Sequence, residues 1–466
     1  MFNRWVESRL AIEKVDRSQN TIHFDRESVF KLTPNDLYYL ENKFEFLNIP
    51  GEWYLDRQQS RLYYLPLSQE AIASSEVVVP LLDTLIKLEG DLKSDAAVSH
   101  LRFNNLTFAH TDWHLPQTRS GYNQNAWGVG SAIVANGIED CQWNYCTWKH
   151  LGGYGIELFR RCRHNQIVGC SLFDLGAGGI KLGERKVYRP QLPSERASHH
   201  NTITRNHIYH GSKFFASAIA IGVASSHHNS ISYNHIHDFY YTAIGIIGDW
   251  GFEPTQAHHN LIEHNFHHIE KLRYGKMPIL SDMGGIYIVG NQPETMIRHN
   301  KIHDIYGVRY GGWGIYLDEG SSEVLVEDNL VYRTSHGGFS QRYGRENIIR
   351  NNIFAFGQKT QIHRNKLDLE KARKGDFVSF YFLNNIVYWQ EGELIIGLKQ
   401  LKQDYQSQAV FKDNIYWKTG NSEISFGGLK WQQWQKGDRT SQVIDPLFIA
   451  PQRGDFRFKA DSPVNN

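Results

Sequence analysis

The 466-residue chain has only four cysteines, and all of them fall between Cys141 and Cys170. None belongs to a Cys-x-x-Cys motif, so we expect four buried thiols rather than disulfides or a thiolate metal site. No apolar run reaches the roughly 18 residues that a transmembrane helix needs. The opening segment MFNRWVESRL lacks the apolar stretch of a signal peptide.

The chain also lacks an excess of either charge, because 50 basic residues are balanced by 49 acidic ones and the net charge is +1. A balanced chain creates no general field that would attract nucleic acid or an anionic membrane, so we expect neither as a partner. Apolar residues make up 41% and aromatic residues 13% of the chain. This composition is typical of a globular protein that is long enough for a large core.

An internal repeat, apolar-x-x-Asn-x-apolar, is the main feature of the sequence. Clear copies are Ile203–Ile208, Ile231–Ile236, Ile297–Ile302 and Val326–Val331. The predicted anchor positions are Asn104, Cys146, Cys170, Asn206, Asn234, Asn265, Asn300, Asn329, Asn351, Asn384 and Asp413. The shortest steps between them, about 22 to 24 residues, indicate the bare repeat, and longer steps indicate insertions.

A repeat of this length with short β-type segments predicts a solenoid. Leucine-rich repeats are the competing interpretation, but LxxLxL motifs and helix-forming stretches are scarce. Inward asparagines at a turn stack from coil to coil and satisfy buried backbone groups. We therefore predict an all-β fold, a right-handed parallel β-helix of about 10–11 coils with a small N-terminal β module.

A second set of apolar residues, alternating along a strand, supports this fold. Period-2 alternation places one side of each strand in the core. The predicted inward pairs are Ile156 and Leu158, Ile180 and Leu182, Ile219 and Ile221, Ile244 and Ile246, Ile286 and Ile288, Ile315 and Leu317. Glycine pairs that suit tight bends often precede them, as at Gly284-Gly285 and Gly311-Gly312.

Three regions follow from where the repeat is found. Residues 1–80 show alternating β-type segments but no anchor, and predict a small all-β module that covers one end of the solenoid. Residues 81–420 form the β-helix, with a long insertion around Trp113–Trp127. Residues 421–466 form a tail that closes the other end.

The chain resembles bacterial carbohydrate-active β-helix proteins of the pectin-lyase-like fold, and glycoside hydrolase family 141 in particular. The motifs that carry this resemblance are PGEWYLD at 50–56, HLGGYG at 150–155, DLGAGG at 174–179, DMGGIY at 282–287, GWGIYLDEG at 312–320 and DPLF at 445–448. The family's activities imply an α-L-fucosidase or xylanase. Family members have a first β-helix segment before the inserted module, so the resemblance also implies a missing N-terminal part and a secreted or periplasmic location.

Glycoside hydrolysis needs two carboxyl groups on either side of the scissile bond. Asp318 follows the inward residues Ile315 and Leu317 and should point outward, while Asp282 precedes the equivalent strand one coil earlier. We predict these two as the catalytic pair, with Glu319 as a rival or third carboxylate. On a straight strand Asp282 and Asp318 would be too far apart, so a bend at Gly284-Gly285 must return Asp282. Otherwise Glu319 pairs with Asp249 or Glu184.

Aromatic side chains provide the flat faces on which sugar rings stack, and several lie in register near these acids. The predicted substrate-binding residues are Tyr240, Tyr241, Asp249, Trp250, Tyr287, Tyr310, Trp313, Tyr316, His150 and Glu184. We expect Tyr287 and Tyr316 to point outward and stack. Plain packing is the alternative role for each aromatic residue, and a turn or surface role is the alternative for each acid.

Histidine pairs recur at one coil position, at 199–200, 227–228 and 258–259. They predict a stacked structural ladder rather than a zinc site, because no carboxylate or cysteine shares the position. We expect no metal, no cofactor, a monomer, and an oligosaccharide or polysaccharide as substrate. Two alternatives remain: a non-catalytic carbohydrate-binding or structural β-helix, and a polysaccharide lyase that uses Lys181, Arg309 or Arg342 as its base.

Overall fold

The computed structural model describes residues 1–185, 196–268, 279–396, 408–420 and 423–465. Their regular structure is almost entirely β-strand, arranged in three long parallel sheets that we call A, B and C. Each coil contributes a strand to sheet A, then to sheet C, then to sheet B, before the chain enters the next coil. This arrangement confirms the predicted all-β parallel β-helix.

The strands of the three sheets repeat with matched register from coil to coil. Sheet A contains Ile86–Glu89, Ser131–Asn136, Tyr154–Leu158, Ile180–Gly183, Ile221–Ala224, Ile244–Ile247, Gly284–Val289, Trp313–Leu317, Gly337–Gln341, Thr360–Arg364 and Glu393–Ile396. Sheet B contains Thr107–Thr111, Thr147–Leu151, Ser171–Leu175, His207–Tyr209, His235–His237, Phe266–His268, Lys301–Ile305, Leu330–Thr334, Ile353–Gly357, Ile386–Trp389, Ile415–Lys418 and Gln442–Val443. Sheet C contains Arg102–Asn104, Gln142–Asn144, Gln166–Val168, Thr202–Thr204, Ser230–Ser232, Leu261–Glu263, Met296–Arg298, Leu325–Glu327, Asn347–Arg350, Phe380–Leu383 and Ala409–Lys412.

Short elements complete the described chain. Two-stranded pairings join Phe2–Asn3 to Val6–Glu7, Ile12–Asp16 to Thr21–Phe24, Trp53–Asp56 to Arg61–Tyr64, Val98–Ser99 to Ile138–Glu139, Ser198–His199 to Ser226–His227, Ser321–Ser322 to Gly344–Arg345, and Phe448–Ala450 to Asp455–Phe458. The helices are Lys366–Lys374 and Trp431–Trp434, with 3-10 turns at Phe44–Phe46, Ile72–Ser74, Gln124–Ala126, Pro451–Arg453 and Pro463–Asn465. No helix in these described ranges is long and apolar enough to cross a membrane.

The core consists of the inward side chains of the three sheets, stacked in columns. In sheet A, Ile244 aligns with Ile286 and Ile286 with Ile315, and all three are buried. One predicted pair was wrong: the residues in register with Ile180 and Leu182 are Ile221 and Val223, not Ile219 and Ile221. Ile219 precedes the strand and is buried as well, so burial alone does not identify the strand.

An asparagine ladder runs inside the corner between sheets C and B. The backbone N–H and the side-chain amide of Asn265 both donate to Asn300 Oδ1, each at 3.0 Å. Asn300 Nδ2 in turn donates to the Ile262 carbonyl at 2.9 Å. Each ladder residue therefore satisfies backbone groups that a tight corner would leave unpaired, as predicted.

Four predicted anchors were wrong by one or two positions. The ladder residues of three late coils are Asn352, Asn385 and Asn414, which directly follow the predicted Asn351, Asn384 and Asp413. The predicted residues instead adopt left-handed backbone angles, with φ between 52° and 57°. The prediction was one residue too early because, in each of these Asn-Asn or Asp-Asn pairs, the turn residue directly precedes the ladder residue. Asn104 pairs with Asn144 in sheet C, so it too lies outside the ladder.

The four cysteines are free and buried, which confirms the expected thiols. Cys170 occupies a ladder position, where its Sγ accepts from the Cys146 backbone N–H at 3.4 Å. Burial raises the pKa of the Cys162 and Cys170 thiols to about 12. They are packing groups rather than nucleophiles.

Candidate active site

Asp282 and Asp318 meet at one tyrosine hydroxyl on the outer face of sheet A. Tyr316 Oη lies 3.2 Å from Asp282 Oδ1 and 2.9 Å from Asp318 Oδ1. The two carboxylate oxygens can therefore be no more than about 6.1 Å apart, which is the sum of these two distances. Tyr287, one coil earlier, donates its hydroxyl to Asp318 Oδ2 at 2.7 Å. We call Asp282, Asp318, Tyr287 and Tyr316 the carboxylate pocket.

A bend brings Asp282 back over the sheet, but it is not at the predicted glycine pair. Asp282 itself has left-handed backbone angles, with φ 58°, and its N–H donates to the Tyr310 carbonyl at 2.9 Å. Gly284 and Gly285 already belong to the strand. A Cβ at Gly285 would lie 2.6 Å from Ile302 Cγ2, so this glycine is needed for close packing rather than for a turn.

Burial changes the acidity of both carboxyl groups. Asp282 and Asp318 are each only 4% exposed. Burial, followed by the charge of Asp318, raises the pKa of Asp282 to about 7. Burial also raises the pKa of Asp318, although hydrogen bonds from Tyr287 and Tyr316 and the charge of Arg342 oppose the rise. Two buried carboxyl groups this close do not both ionise readily near neutral pH.

Hydrogen-bond counting leads to the same conclusion. A tyrosine hydroxyl has one proton, so Tyr316 can donate to only one of its two carboxylate neighbours. The other contact is a hydrogen bond only if that carboxyl group is protonated and donates to Tyr316. The arrangement therefore suits a pair that holds one carboxylic acid and one carboxylate.

Glu319, the third predicted carboxylate, turns away from this contact. Its carboxylate lies 3.0 Å from Arg342 Nε and accepts a hydrogen bond from the Tyr343 hydroxyl at 3.1 Å. The Glu319 and Arg342 side chains are 25% and 31% exposed. They form a partly open edge of the pocket, and the Arg342 charge acts on both aspartates.

Aromatic side chains enclose the pocket. The outer-face cluster includes Tyr287, Trp313 and Tyr316, with Trp250 and Tyr310 partly buried against it. Tyr287 and Tyr316 point outward in register, as predicted, but their rings meet edge to face at 68° instead of stacking. The Trp313 indole Nε1 is buried without a hydrogen-bond partner among the described residues, and its ring packs against Tyr316.

The insertion after Trp113 supports this region from one side. Gln124 Nε2 donates to the Tyr241 hydroxyl at 3.1 Å, and Tyr241 donates to the Asp282 carbonyl at 2.8 Å. Lys181, only 1% exposed, donates to the carbonyls of Trp127 and Val129 at 3.0 and 2.8 Å. Tyr241 and Lys181 thus position backbone, and Lys181 is placed as a structural cation rather than as an accessible base.

Other predicted site residues lie apart from the carboxylate pocket. Glu184 is buried and forms a two-point ion pair with Arg160 at 2.7 and 2.6 Å. His150 is on sheet B, where its imidazole contacts Asp174. Tyr240 packs partly buried against the main core.

Asp249 and Trp250 follow the sheet A strand Ile244–Ile247 and are both half-buried. Burial raises the pKa of Asp249. Trp250 joins the outer-face cluster and carries the Arg185 guanidinium over its ring at 5.5 Å. These two residues extend the predicted binding surface away from the pocket.

The sequence did not single out Tyr343, Gln124 or Trp127, and it gave Arg342 only as a candidate lyase base. The repeat did contain a signal for Arg342 and Tyr343. Leu317 pairs with Gln341, so Arg342 and Tyr343 occupy the positions of Asp318 and Glu319 one coil later. Extending the repeat by one coil would have found them. Gln124 and Trp127 lie in an insertion, which no repeat can place.

Comparisons with known proteins agree with this architecture. A family model described as a right-handed β-helix region matches residues 220–368, and one described as the GH141 insertion domain matches residues 16–67. No curated protein sequence matches the chain significantly.

Among solved structures, one named "Glycoside hydrolase" is 22% identical, with a TM-score of 0.62, and the match covers 75% of this chain and 67% of that one. A GH136 lacto-N-biosidase from Eubacterium ramulus is 10% identical, with a TM-score of 0.41, over 71% of this chain and 59% of that one. The surface adhesin PfbA of Streptococcus pneumoniae is 14% identical, with a TM-score of 0.43, over 64% and 72%.

The insertion-domain match falls on the N-terminal hairpins, and the β-helix match includes both aspartates of the carboxylate pocket. The fold-level likeness to a glycoside hydrolase covers three quarters of the chain. The chain is therefore a right-handed parallel β-helix protein that resembles GH141 proteins in its insertion domain.

Proposed function

We propose that this protein is a glycoside hydrolase in which Asp282 and Asp318 are the two catalytic carboxyl groups. The observation that carries the proposal is their shared contact with the Tyr316 hydroxyl in a buried, aromatic-lined pocket. Glycosidic bond cleavage requires one neutral and one ionised carboxyl group on either side of the scissile bond.

The roles follow from what surrounds each group. Asp282 has a pKa of about 7 and is the general acid that protonates the glycosidic oxygen. Asp318 accepts hydrogen bonds from Tyr287 and Tyr316 and is stabilised as an anion by the charge of Arg342. Asp318 is therefore the nucleophile, which attacks the anomeric carbon as the protonated leaving group departs.

The spacing supports retention of the anomeric configuration. Retaining enzymes have carboxyl groups about 5–5.5 Å apart, whereas inverting enzymes leave about 6.5–9.5 Å for a water molecule. In the second step Asp282, now ionised, takes a proton from water, and the resulting attack releases the sugar from Asp318. The net reaction consumes one water molecule and regenerates both carboxyl groups.

The substrate class is an oligosaccharide or polysaccharide of plant or bacterial origin. The resemblance to family 141 favours an α-L-fucoside or a xylan. Trp250 and Tyr310 are partly buried and offer ring surface to a sugar, whereas Trp313 is only 4% exposed and its ring stacks on His363.

The test is activity of the parent chain, Asp282→Asn, Asp318→Asn and Asp318→Gly on aryl α-L-fucosides, aryl β-xylosides and xylan. We expect each variant to lose about a hundredfold or more on substrates with poor leaving groups. Asp282→Asn should recover most of its rate on a dinitrophenyl glycoside, which needs no acid. Asp318→Gly should be rescued by azide and yield a glycosyl azide of inverted configuration.

Glu319→Gln is the matched control, because Glu319 lies beside the pair but contacts Arg342 and Tyr343. We expect a smaller loss, within about tenfold. If the parent and all three aspartate variants cleave the same substrate equally well, Asp282 and Asp318 are structural and the proposed roles fail. Binding of a sugar by the parent with no cleavage of any substrate would favour the non-catalytic alternative.

A further inference from the structure

Sheet B carries a second group of functional side chains, well away from the carboxylate pocket on sheet A. His207, His235, His237 and His268 project from the outer face of three successive strands. We call them the histidine cluster. His207 Nε2 lies 2.9 Å from His237 Nε2, and His235 Nε2 lies 3.1 Å from His268 Nε2.

We propose that the histidine cluster is a binding site for a divalent transition-metal ion of the zinc or copper type. Ligand nitrogens of His207, His235 and His237 all lie within 4.8 Å of one another. Two imidazole ligands on one tetrahedral zinc ion are about 3.3 Å apart, given Zn–N bonds of about 2.0–2.1 Å. The observed 2.9 and 3.1 Å separations need only small ring rotations to admit an ion.

A buried carboxylate fixes the orientation of one ligand. Asp238 is fully buried, and its Oδ2 lies 2.9 Å from His237 Nδ1. An ionised Asp238 can only accept a hydrogen bond, so it holds the proton on His237 Nδ1 and leaves the Nε2 lone pair facing His207. A carboxylate behind a histidine is the usual outer-shell arrangement of metal sites, because it sets the tautomer and raises the basicity of the ligand.

The imidazoles also need not release a proton before they bind an ion at neutral pH. Burial, with repulsion from neighbouring histidines, lowers the pKa of His207 and His268 to about 4, so both are neutral at pH 7. Neutral imidazole is the form that binds zinc and copper. His207 needs only to move its proton from Nε2 to Nδ1 when the ion enters.

The other histidine rows provide an internal comparison. His199, His227 and His258 stack at 5.2 and 4.7 Å, and their Nδ1 atoms contact the next histidine in the chain. This ladder confirms the predicted stack. Among the contacts of its described residues, none joins a ladder histidine to a fully buried carboxylate as Asp238 joins His237. We therefore assign the ion to the histidine cluster and not to the ladder.

The experiment measures Zn²⁺ binding by the full chain after treatment with a chelator, using calorimetry at pH 7.5. The variants His207→Phe and His237→Tyr keep an aromatic ring, since Phe266 and Tyr209 occupy the corresponding rows in neighbouring coils. We expect one ion per parent chain and at least a tenfold weaker affinity in both variants. Asp238→Asn should weaken binding by about 10-fold to 100-fold.

His227→Phe, in the ladder, is the control and should bind as the parent does. Equal affinity in the parent, His207→Phe and His237→Tyr would overturn the assignment, as would a loss confined to His227→Phe. If a cluster variant does not fold, diethyl pyrocarbonate labelling of the parent replaces it. Zn²⁺ should then protect His207 and His237 but not His227, and equal labelling with and without Zn²⁺ would contradict the proposal.

Discussion

At the scale of single residues, the neutral state of Asp282 affects stability as well as chemistry. Its pKa is raised from 3.8 to about 7, mainly by burial. A carboxyl group whose pKa is higher in the folded state stabilises the fold fully below its unfolded pKa. That stabilisation is lost as the pH rises through the folded pKa. The contribution of Asp282 to the free energy of unfolding should therefore fall as the pH rises from about 4 to about 7.

Asp282→Asn should remove this loss, because the neutral amide resembles the protonated acid in size and charge. We expect the variant to be more stable than the parent at pH 8, by about 2–4 kcal/mol, and nearly equal to it at pH 4. Thermal and urea unfolding at the two pH values measure the difference. Glu13→Gln, at an exposed carboxylate in the strand Ile12–Asp16, is the control and should be about as stable as the parent at both pH values. An Asp282→Asn variant that is less stable than the parent at pH 8 would contradict the prediction.

The sequence predicted that Asp282 and Asp318 would lie close together, but not how they would be joined. Asp282, Asp318 and Tyr316 were found because the repeat places them at strand ends on one face. The sequence could not show that one hydroxyl would join the two acids, because that contact depends on the bend at Asp282. The sequence does not distinguish an aspartate with left-handed backbone angles from an ordinary turn residue.

At the scale of elements, close packing between coils holds the carboxylate pocket in place. The strands Gly284–Val289 and Trp313–Leu317 carry Tyr287 and Tyr316. A Cβ on Gly314 would lie 2.0 Å from Val331 Cγ1 of sheet B. The Val331 side chain fills the space between sheets A and B that a side chain at position 314 would need, and Gly314 lies two residues before Tyr316.

Gly314→Ala should therefore destabilise the protein by about 1–3 kcal/mol and lower activity through displacement of Tyr316. Gly130→Ala is the matched control, since no atom lies within 4 Å of the added Cβ. Gly130 precedes a strand of the same sheet, Ser131–Asn136. Unfolding temperature and kcat on the best substrate are the measurements. Equal effects of the two substitutions would show that packing at Gly314 is looser than the distances indicate.

The ladder shows how far a repeat can be read from sequence alone. Asn206, Asn234 and Asn300 were placed correctly, because each of these corners contains a single asparagine. Where two such residues are adjacent, as at Asn351 and Asn352, the sequence gave the wrong one. Both asparagines suit the corner, one by its tolerance of positive φ and one by its amide. Only the register of neighbouring coils decides between them.

At the scale of the whole molecule, the N-terminal region and the solenoid meet beside the carboxylate pocket. Ser281, next to Asp282, donates its N–H to the Arg4 carbonyl at 2.7 Å. Arg309 forms an ion pair with Asp36 at 3.0 Å and contacts the Pro34 carbonyl at 3.3 Å. The sequence separated residues 1–80 because they lack the repeat, and predicted that they cover one end of the solenoid. The contacts instead place Arg4 and Asp36 beside its middle coils, and they join residues far apart in the chain.

Arg309→Met should loosen this contact without unfolding the solenoid. The substitution keeps much of the side-chain volume but leaves the largely buried Asp36 carboxylate without its cation. We expect limited proteolysis to cleave within residues 1–80 several-fold faster than in the parent, while the β-helix fragment persists. Substrate affinity should fall as well, because Ser281 and Asp282 lose support.

Arg333→Met is the control for this last prediction. Arg333 forms a comparable ion pair with Asp304 at 2.6 Å, but on sheet B, where its guanidinium contacts Asp304 and His303 of the solenoid. Its cleavage pattern should match that of the parent. If Arg309→Met and Arg333→Met are digested alike, the Arg309 ion pair does not hold the N-terminal region to the solenoid. Faster cleavage with unchanged KM would show that docking and the carboxylate pocket are independent.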